Sequence, residues 1–354
     1  MVPAQTMTRR AFLGLAGLAF IGACRQAPSP TAAPASPTAS GTSPGATTPV
    51  TTPREAVSVA LDWYPWSNHT GLLMARERGH FHDVGLDVTL QVPANPEDVL
   101  KLVATGRNTF GISYQTDVLL ARAEGIPVVS IAALVQHPLN SVMALEGSGI
   151  SRPRDLAGKK VGYPGLPSDE ALLATMLEFD GARLDDVTLV NVGFELVRAL
   201  LSRHVDAVIG AYWVHESILI EQQGERPVIL RVEQWGVPDF YELVMVTSEQ
   251  ELRDHAERVQ RFVRAMIRGY QDAQADLVAA VDLLVREYPD TNRPLEEEGI
   301  RRLAPLWTEG VPIFGWQEAK RWTDYAAWMQ QRGLLSAEVD PNAAFTNRFV
   351  EAAR

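Results

Sequence analysis

Residues 100–113 read LKLVATGRNTFGIS and residues 197–210 read VRALLSRHVDAVIG. Laid over one another, apolar residues fall on apolar residues, and Val-Thr-Leu likewise recurs at 88–90 and 187–189. The pairing predicts one half-domain built twice. Around the first copy, strand patterns at 57–63, 88–91, 109–113 and 128–135 alternate with helical patterns at 69–79, 97–106 and 115–125. Around the second, strands at 160–163, 187–189, 206–212 and 228–232 alternate with helices at 168–181, 195–203 and 214–224. The apolar runs are short, near-continuous and β-branched, as in strands buried on both faces. Strands that alternate with helices ending at glycine predict parallel sheets with crossover helices, an α/β architecture of two doubly wound lobes.

The alternation stops after Ser248. Residues 249–280 read as one amphipathic helix with Leu252, Ala256, Val259, Phe262, Val263 and Met266 on one face. Further helices are expected at 295–306, 315–332 and 343–353. The chain is therefore expected to leave lobe 1 near 143 and return near 243, through extended crossings at 141–145 and 242–246. This assigns 54–143 plus 245–354 to lobe 1 with a helical C-terminal tail packed on it, and 144–244 to lobe 2. Two extended crossings make a two-strand hinge, and the cleft between lobes is the natural ligand site.

The first fifty residues address the compartment. Thr8-Arg9-Arg10 precedes an apolar run from Ala11 to Ala23. That run is shorter than the roughly 20 residues a membrane span needs. A basic start, a short apolar stretch and small residues before a cut describe a secretory signal at 1–23. Ile21-Gly22-Ala23-Cys24 resembles a bacterial lipobox, and Thr8-Arg9-Arg10-Ala11-Phe12-Leu13 resembles a twin-arginine export signal. Cys24, the one cysteine of the chain, is then the expected lipid-attachment residue. Residues 24–53 carry that cysteine and a Pro, Ser and Thr tether too polar to fold. A monomeric body held at the outer face of the cell membrane is expected.

Composition excludes several classes. A single cysteine allows neither an intrachain disulfide framework nor a thiolate metal cluster. The formal charge of −11 argues against nucleic acid, whose recognition needs a basic footprint. No G-x-S-x-G, H-E-x-x-H or P-loop motif is present. Neither metal nor cofactor is implied. His80 and His82 bracket Phe81 and read as a solvated loop.

Five blocks then carry a family resemblance: LDWYPWSNHTGLLMARERGHF (61–81), GISYQTDVLLARAEGIPVVSIAALVQHPLNS (111–141), DLAGKKVGYPGLPSDEA (155–171), VDAVIGAYWVHESI (205–218) and WGVPDFYELVMVT (235–247). Together they resemble the NMT1/THI5-like proteins, and within these the receptors for vitamins and vitamin precursors. The resemblance implies a type II periplasmic-binding fold, an ABC permease and ATPase as partners, and binding without chemistry. The family's enzyme branch, the pyrimidine synthases, consumes one of its own histidines and needs a cysteine-rich iron motif. No cysteine follows Cys24, so that motif is absent. His69 occupies the histidine of the family's W-x-P-x-x-x-H pattern and reads as structural or ligand-contacting.

The expected ligand residues are aromatic. Trp63, Tyr64 and Trp66 follow the first strand, Tyr114 the third, and Tyr163 the first strand of lobe 2. Tyr212 and Trp213 follow Val208-Ile209-Gly210, while Trp235 and Tyr241 lie beside the second crossing. Rings from both lobes can sandwich a flat π-system as the lobes close. Asn68, Gln115, Ser168 and Glu216 are the polar candidates. Ser168 also reads as a helix N-cap. Glu216 falls where pyrimidine-binding relatives carry a carboxylate, which accepts hydrogen bonds from ring N–H or amino groups. The thiamine-pyrimidine receptors usually read W-x-P-N, whereas this chain has Trp63-Tyr64-Pro65-Trp66. An indole in place of an amide suits a wider ring, so the expected ligand is riboflavin. The alternatives are the formylaminopyrimidine or hydroxymethylpyrimidine precursor of thiamine, and, further off, an enzyme of the synthase branch.

Overall fold

Ten short β-branched runs become strands: β1 (Glu55–Ala60), β2 (Leu86–Gln91), β3 (Phe110–Ser113), β4 (Val128–Val135), β5 (Asn140–Leu145), β6 (Lys160–Tyr163), β7 (Thr188–Asn191), β8 (Ala207–Tyr212), β9 (Pro227–Arg231) and β10 (Leu243–Ser248). The computed structural model describes residues 54–353. The export segment, Cys24 and the tether lie outside the described residues.

The strands form two five-stranded sheets with the same plan, β2-β1-β3-β10-β4 and β7-β6-β8-β5-β9. In each sheet three strands run parallel, and one antiparallel strand joins them to the edge. β4, β5 and β10 are buried along their whole length, which explains their largely apolar sequence. The sheets are open and doubly wound, and the α/β expectation holds.

The crossings differ from expectation. Residues 141–145 belong to β5, a complete strand of the second sheet, and 243–246 to β10, a complete strand of the first. The chain therefore changes sheets at 136–139 and again at 232–242. The apolar runs read as crossings are strands because each pairs on both sides: β5 with β8 and β9, β10 with β3 and β4.

The tail also departs from expectation. The one long helix at 249–280 is three: Glu249–Asp254, Ala256–Ala275 and Leu277–Glu287. His255 (φ −138°, ψ 36°) and Asp276 (φ −142°, ψ 83°) leave the helical region. Asp276 then caps the next helix by accepting the Ala279 N–H at 2.9 Å, an arrangement that aspartate favours over continuing a helix. Ala256–Ala275 packs on the helix Thr70–Glu77 of the first lobe, and Phe262 stacks on Phe110 at 3.9 Å. The tail is not confined to that lobe. Its helix Arg293–Leu303 also touches the second-lobe helix Glu216–Gln222.

Candidate functional site

Because the strands of each sheet end at the same side, their following loops converge. A cavity forms there. β1 leads into Asp62, Trp63 and Trp66, and β3 into Tyr114 and Thr116. From the second sheet, β6 leads into Pro164, Leu166, Ser168 and Asp169, and β8 supplies Gly210 and Tyr212, then His215 and Glu216. Asn140 and Glu242, at the starts of the two antiparallel strands, complete it with Phe240 and Leu172.

Of the thirteen candidates read from sequence, six line this cavity: Trp63, Trp66, Tyr114, Ser168, Tyr212 and Glu216. Tyr64, Gln115 and Trp213 lie outside its lining, and so do four others. Asn68 is fully buried behind it, and its backbone carbonyl accepts from the Tyr270 hydroxyl at 2.8 Å. Tyr163 ends β6 and hydrogen-bonds Glu170. Trp235 meets Phe179 edge-on at 6.4 Å, with the Arg152 guanidinium 5.9 Å from its ring. Tyr241 is fully buried; its hydroxyl accepts the Glu318 N–H at 2.6 Å, and the Arg321 guanidinium lies 4.5 Å from its ring. Ser168 is not an N-cap. The helix Pro167–Phe179 starts one residue before it, capped by Leu166, because proline suits the first helical position. The freed hydroxyl of Ser168 bonds Asp117.

His69 is fully buried and does not line the cavity. Its Nδ1 accepts the Trp66 N–H at 3.2 Å, so Nε2 carries the proton and donates to Asp62 Oδ1 at 2.9 Å. The imidazole thus orients Asp62 from behind.

The residues that sequence reading passed over are the acids. Asp62 and Asp169 are 1% exposed, and each keeps one buried carboxylate oxygen without a hydrogen-bond partner among the described residues. Asp169 Oδ1 accepts from Asn140 Nδ2 at 2.9 Å. Glu242 Oε2 accepts the N–H groups of Leu139 at 2.6 Å and Asn140 at 2.8 Å. Burial disfavours charge on these groups. It pushes Asp169 well above the usual carboxylate range, Glu242 up to about 7 and the neighbouring Asp117 up to about 6, against their hydrogen bonds. Burial likewise raises Tyr114 and Tyr212 well above 10, aided by nearby carboxylates, so both hydroxyls stay neutral donors.

Glu216 is held differently. Oε2 accepts the Tyr212 N–H at 2.8 Å, and Oε1 lies 2.9 Å from His215 Nδ1. Burial opposes charge on His215, but Glu216 and Glu296 outweigh it and raise the imidazole to about 10. Trp66 packs against His215 at 5.1 Å and Tyr212 at 5.8 Å between ring centroids. At the mouth, Phe194 sits against Trp63 at 4.3 Å and Tyr64 at 4.6 Å. The cavity is thus aromatic in its walls and rich in buried acceptors. It suits a flat ring bearing N–H donors.

Residues 66–280 match the model of the NMT1/THI5-like family. Over 297 residues the chain is 37% identical to the formylaminopyrimidine-binding protein of Halalkalibacterium halodurans, covering 83% of this chain and 90% of that one. It is 27% identical to a 4-amino-5-hydroxymethyl-2-methylpyrimidine phosphate synthase of Aspergillus parasiticus, covering 84% and 87%. In three dimensions it resembles the ligand-binding component of an ABC-type import system from Staphylococcus aureus, with a TM-score of 0.67 at 14% identity, covering 85% and 99%. Strand plan, converging cleft and sequence agree: the chain belongs to the NMT1/THI5-like family.

Proposed function

We propose that this protein is the solute-binding component of an ABC importer and captures an aminopyrimidine of the formylaminopyrimidine type. The observation that carries the reading is the pair of unpartnered buried oxygens on Asp62 and Asp169 in an aromatic-walled cavity. A carboxyl oxygen without a partner accepts hydrogen bonds, so a ligand that brings donors complements the pair. An exocyclic amino group and an amide N–H supply them. Tyr114 donates to a ring nitrogen, and Trp66 and Trp63 bracket the ring plane. Binding takes place without chemistry: His69 is sealed behind Asp62, and no cysteine follows Cys24 to build an iron motif. The permease and ATPase of the importer are the partners, and a lipid on Cys24 holds the receptor at the membrane.

Riboflavin, expected from the indole at position 66, is overturned by the relatives, whose names refer to aminopyrimidines and not to flavins. The physical reason lies in Trp66 itself. It is 3% exposed and packed against His215 and Tyr212, a buried wall and not the free stacking face the sequence suggested.

The test is a titration of the purified protein followed by tryptophan fluorescence. Formylaminopyrimidine should saturate at one per chain and riboflavin should not bind. Asp169→Asn turns one acceptor oxygen into an amide donor and should weaken binding about 10- to 100-fold, the equivalent of about 1.5–3 kcal/mol. Unchanged affinity in that variant would sink the role given to Asp169, and silence of the wild type toward formylaminopyrimidine would sink the ligand.

A further inference from the structure

The cavity accounts for Trp66, His215 and Glu216, but not for the group that ties them together from outside. Glu296 lies on the tail helix Arg293–Leu303, is 3% exposed, and does not line the cavity. Its Oε2 accepts the Ser67 backbone N–H at 2.8 Å and the Ser67 hydroxyl. Its Oε1 lies 3.2 Å from His215 Nε2. Ser67 follows Trp66 on the first-lobe side of the cleft. His215 precedes the helix Glu216–Gln222 of the second. One buried carboxylate therefore bonds both lobes at once, immediately behind two rings of the ligand cavity.

The same helix approaches the second lobe twice more. Asn292 Nδ2 donates to Gln222 Oε1 at 2.6 Å. Gly299 lies so close that an added Cβ would stand 3.1 Å from the Val214 carbonyl oxygen. We propose that Glu296 is an interlobe latch, a positioning residue that holds the lobes closed over the ligand without touching it and so governs release. Opening the cleft must part Glu296 from either Ser67 or His215. A buried charge that loses its partner is strongly penalised, and the penalty falls on the opening step. A ligand that needs the closed form binds in proportion to the closed population, and effects of this kind appear chiefly in the dissociation rate. The inference rests on this cavity being the ligand site, not on which ligand fills it.

Two variants test it. Glu296→Gln keeps the shape and removes the charge. Gly299→Ala adds one methyl against Val214; alanine is the better helix former, so any loss there comes from the joint. Stopped-flow release of formylaminopyrimidine should quicken about tenfold or more in both, with association within about twofold of wild type. Without ligand, small-angle X-ray scattering should give both variants a larger radius of gyration than wild type. Unchanged release and unchanged scattering overturn the latch, as does a loss confined to association. If Glu296→Gln does not fold, Gly299→Ala decides by the same readouts. If wild type fails to bind formylaminopyrimidine, the ligand reading falls, and the scattering comparison alone decides the latch, equal radii overturning it.

Discussion

At the scale of single residues, the acids around the cavity set a measurable pH dependence. Glu242 is raised by burial to about 7 and Asp117 to about 6. Between the ordinary carboxylate range and those values the folded protein holds protons that the unfolded chain has released. Stability therefore falls as pH rises through that interval. For Glu242 the full loss is about 3 kcal/mol. His215 works in another window. Its folded value of about 10 exceeds the ordinary 6.5, so its contribution is complete below pH 6.5 and is lost as pH climbs toward 10. Thermal melts of ligand-free protein should decline continuously from about pH 5 toward about pH 10, steepest near pH 6.5–7 where the two windows overlap. Glu242→Gln should make the decline below about pH 7 shallower and leave the part above it; a variant profile parallel to wild type would contradict the assignment. The rings at 63, 66, 114 and 212 were legible because each follows a strand, where clefts form. Asp62, Asp169 and Glu242 were not, because an acid near a helix start or a strand end reads as solvated until its neighbours are known.

At the scale of elements, the packing of Ala256–Ala275 on Thr70–Glu77 depends on two glycines. A Cβ on Gly269 would lie 2.2 Å from the Gly71 carbonyl oxygen, and one on Gly71 would lie 2.3 Å from the Tyr270 ring. Helix propensity alone says that Gly269→Ala stabilises by about 1 kcal/mol. The contact says the reverse, because overpacking a tight joint costs about 1–3 kcal/mol. Urea unfolding should show net destabilisation, and a more stable variant would mean the helices can part without loss. The apolar face of the tail was legible from its spacing. The breaks at His255 and Asp276 were not, since a short polar residue inside a periodic pattern is tolerated in many helices and only here turns the chain.

At the scale of the whole molecule, the receptor reading joins a cleft between two lobes to an anchor on Cys24. Cys24→Ala should move the protein from the membrane fraction to the soluble fraction of the cells that make it. Retention in the membrane fraction would remove the lipid anchor from the proposal. The ligand shows where reading by position stops. Trp66 read as a wider stacking face, yet it is a buried wall packed on His215 and Tyr212. The sequence by itself determined the α/β class, the duplicated half-domain and the loops that face the cleft, because these follow from local periodicity and from residues near in the chain. Only the tertiary structure decided which acids are buried, where the chain changes sheets, and that Glu296 meets Ser67 and His215. Those depend on groups far apart in sequence meeting where water is excluded, and no local pattern encodes that distance.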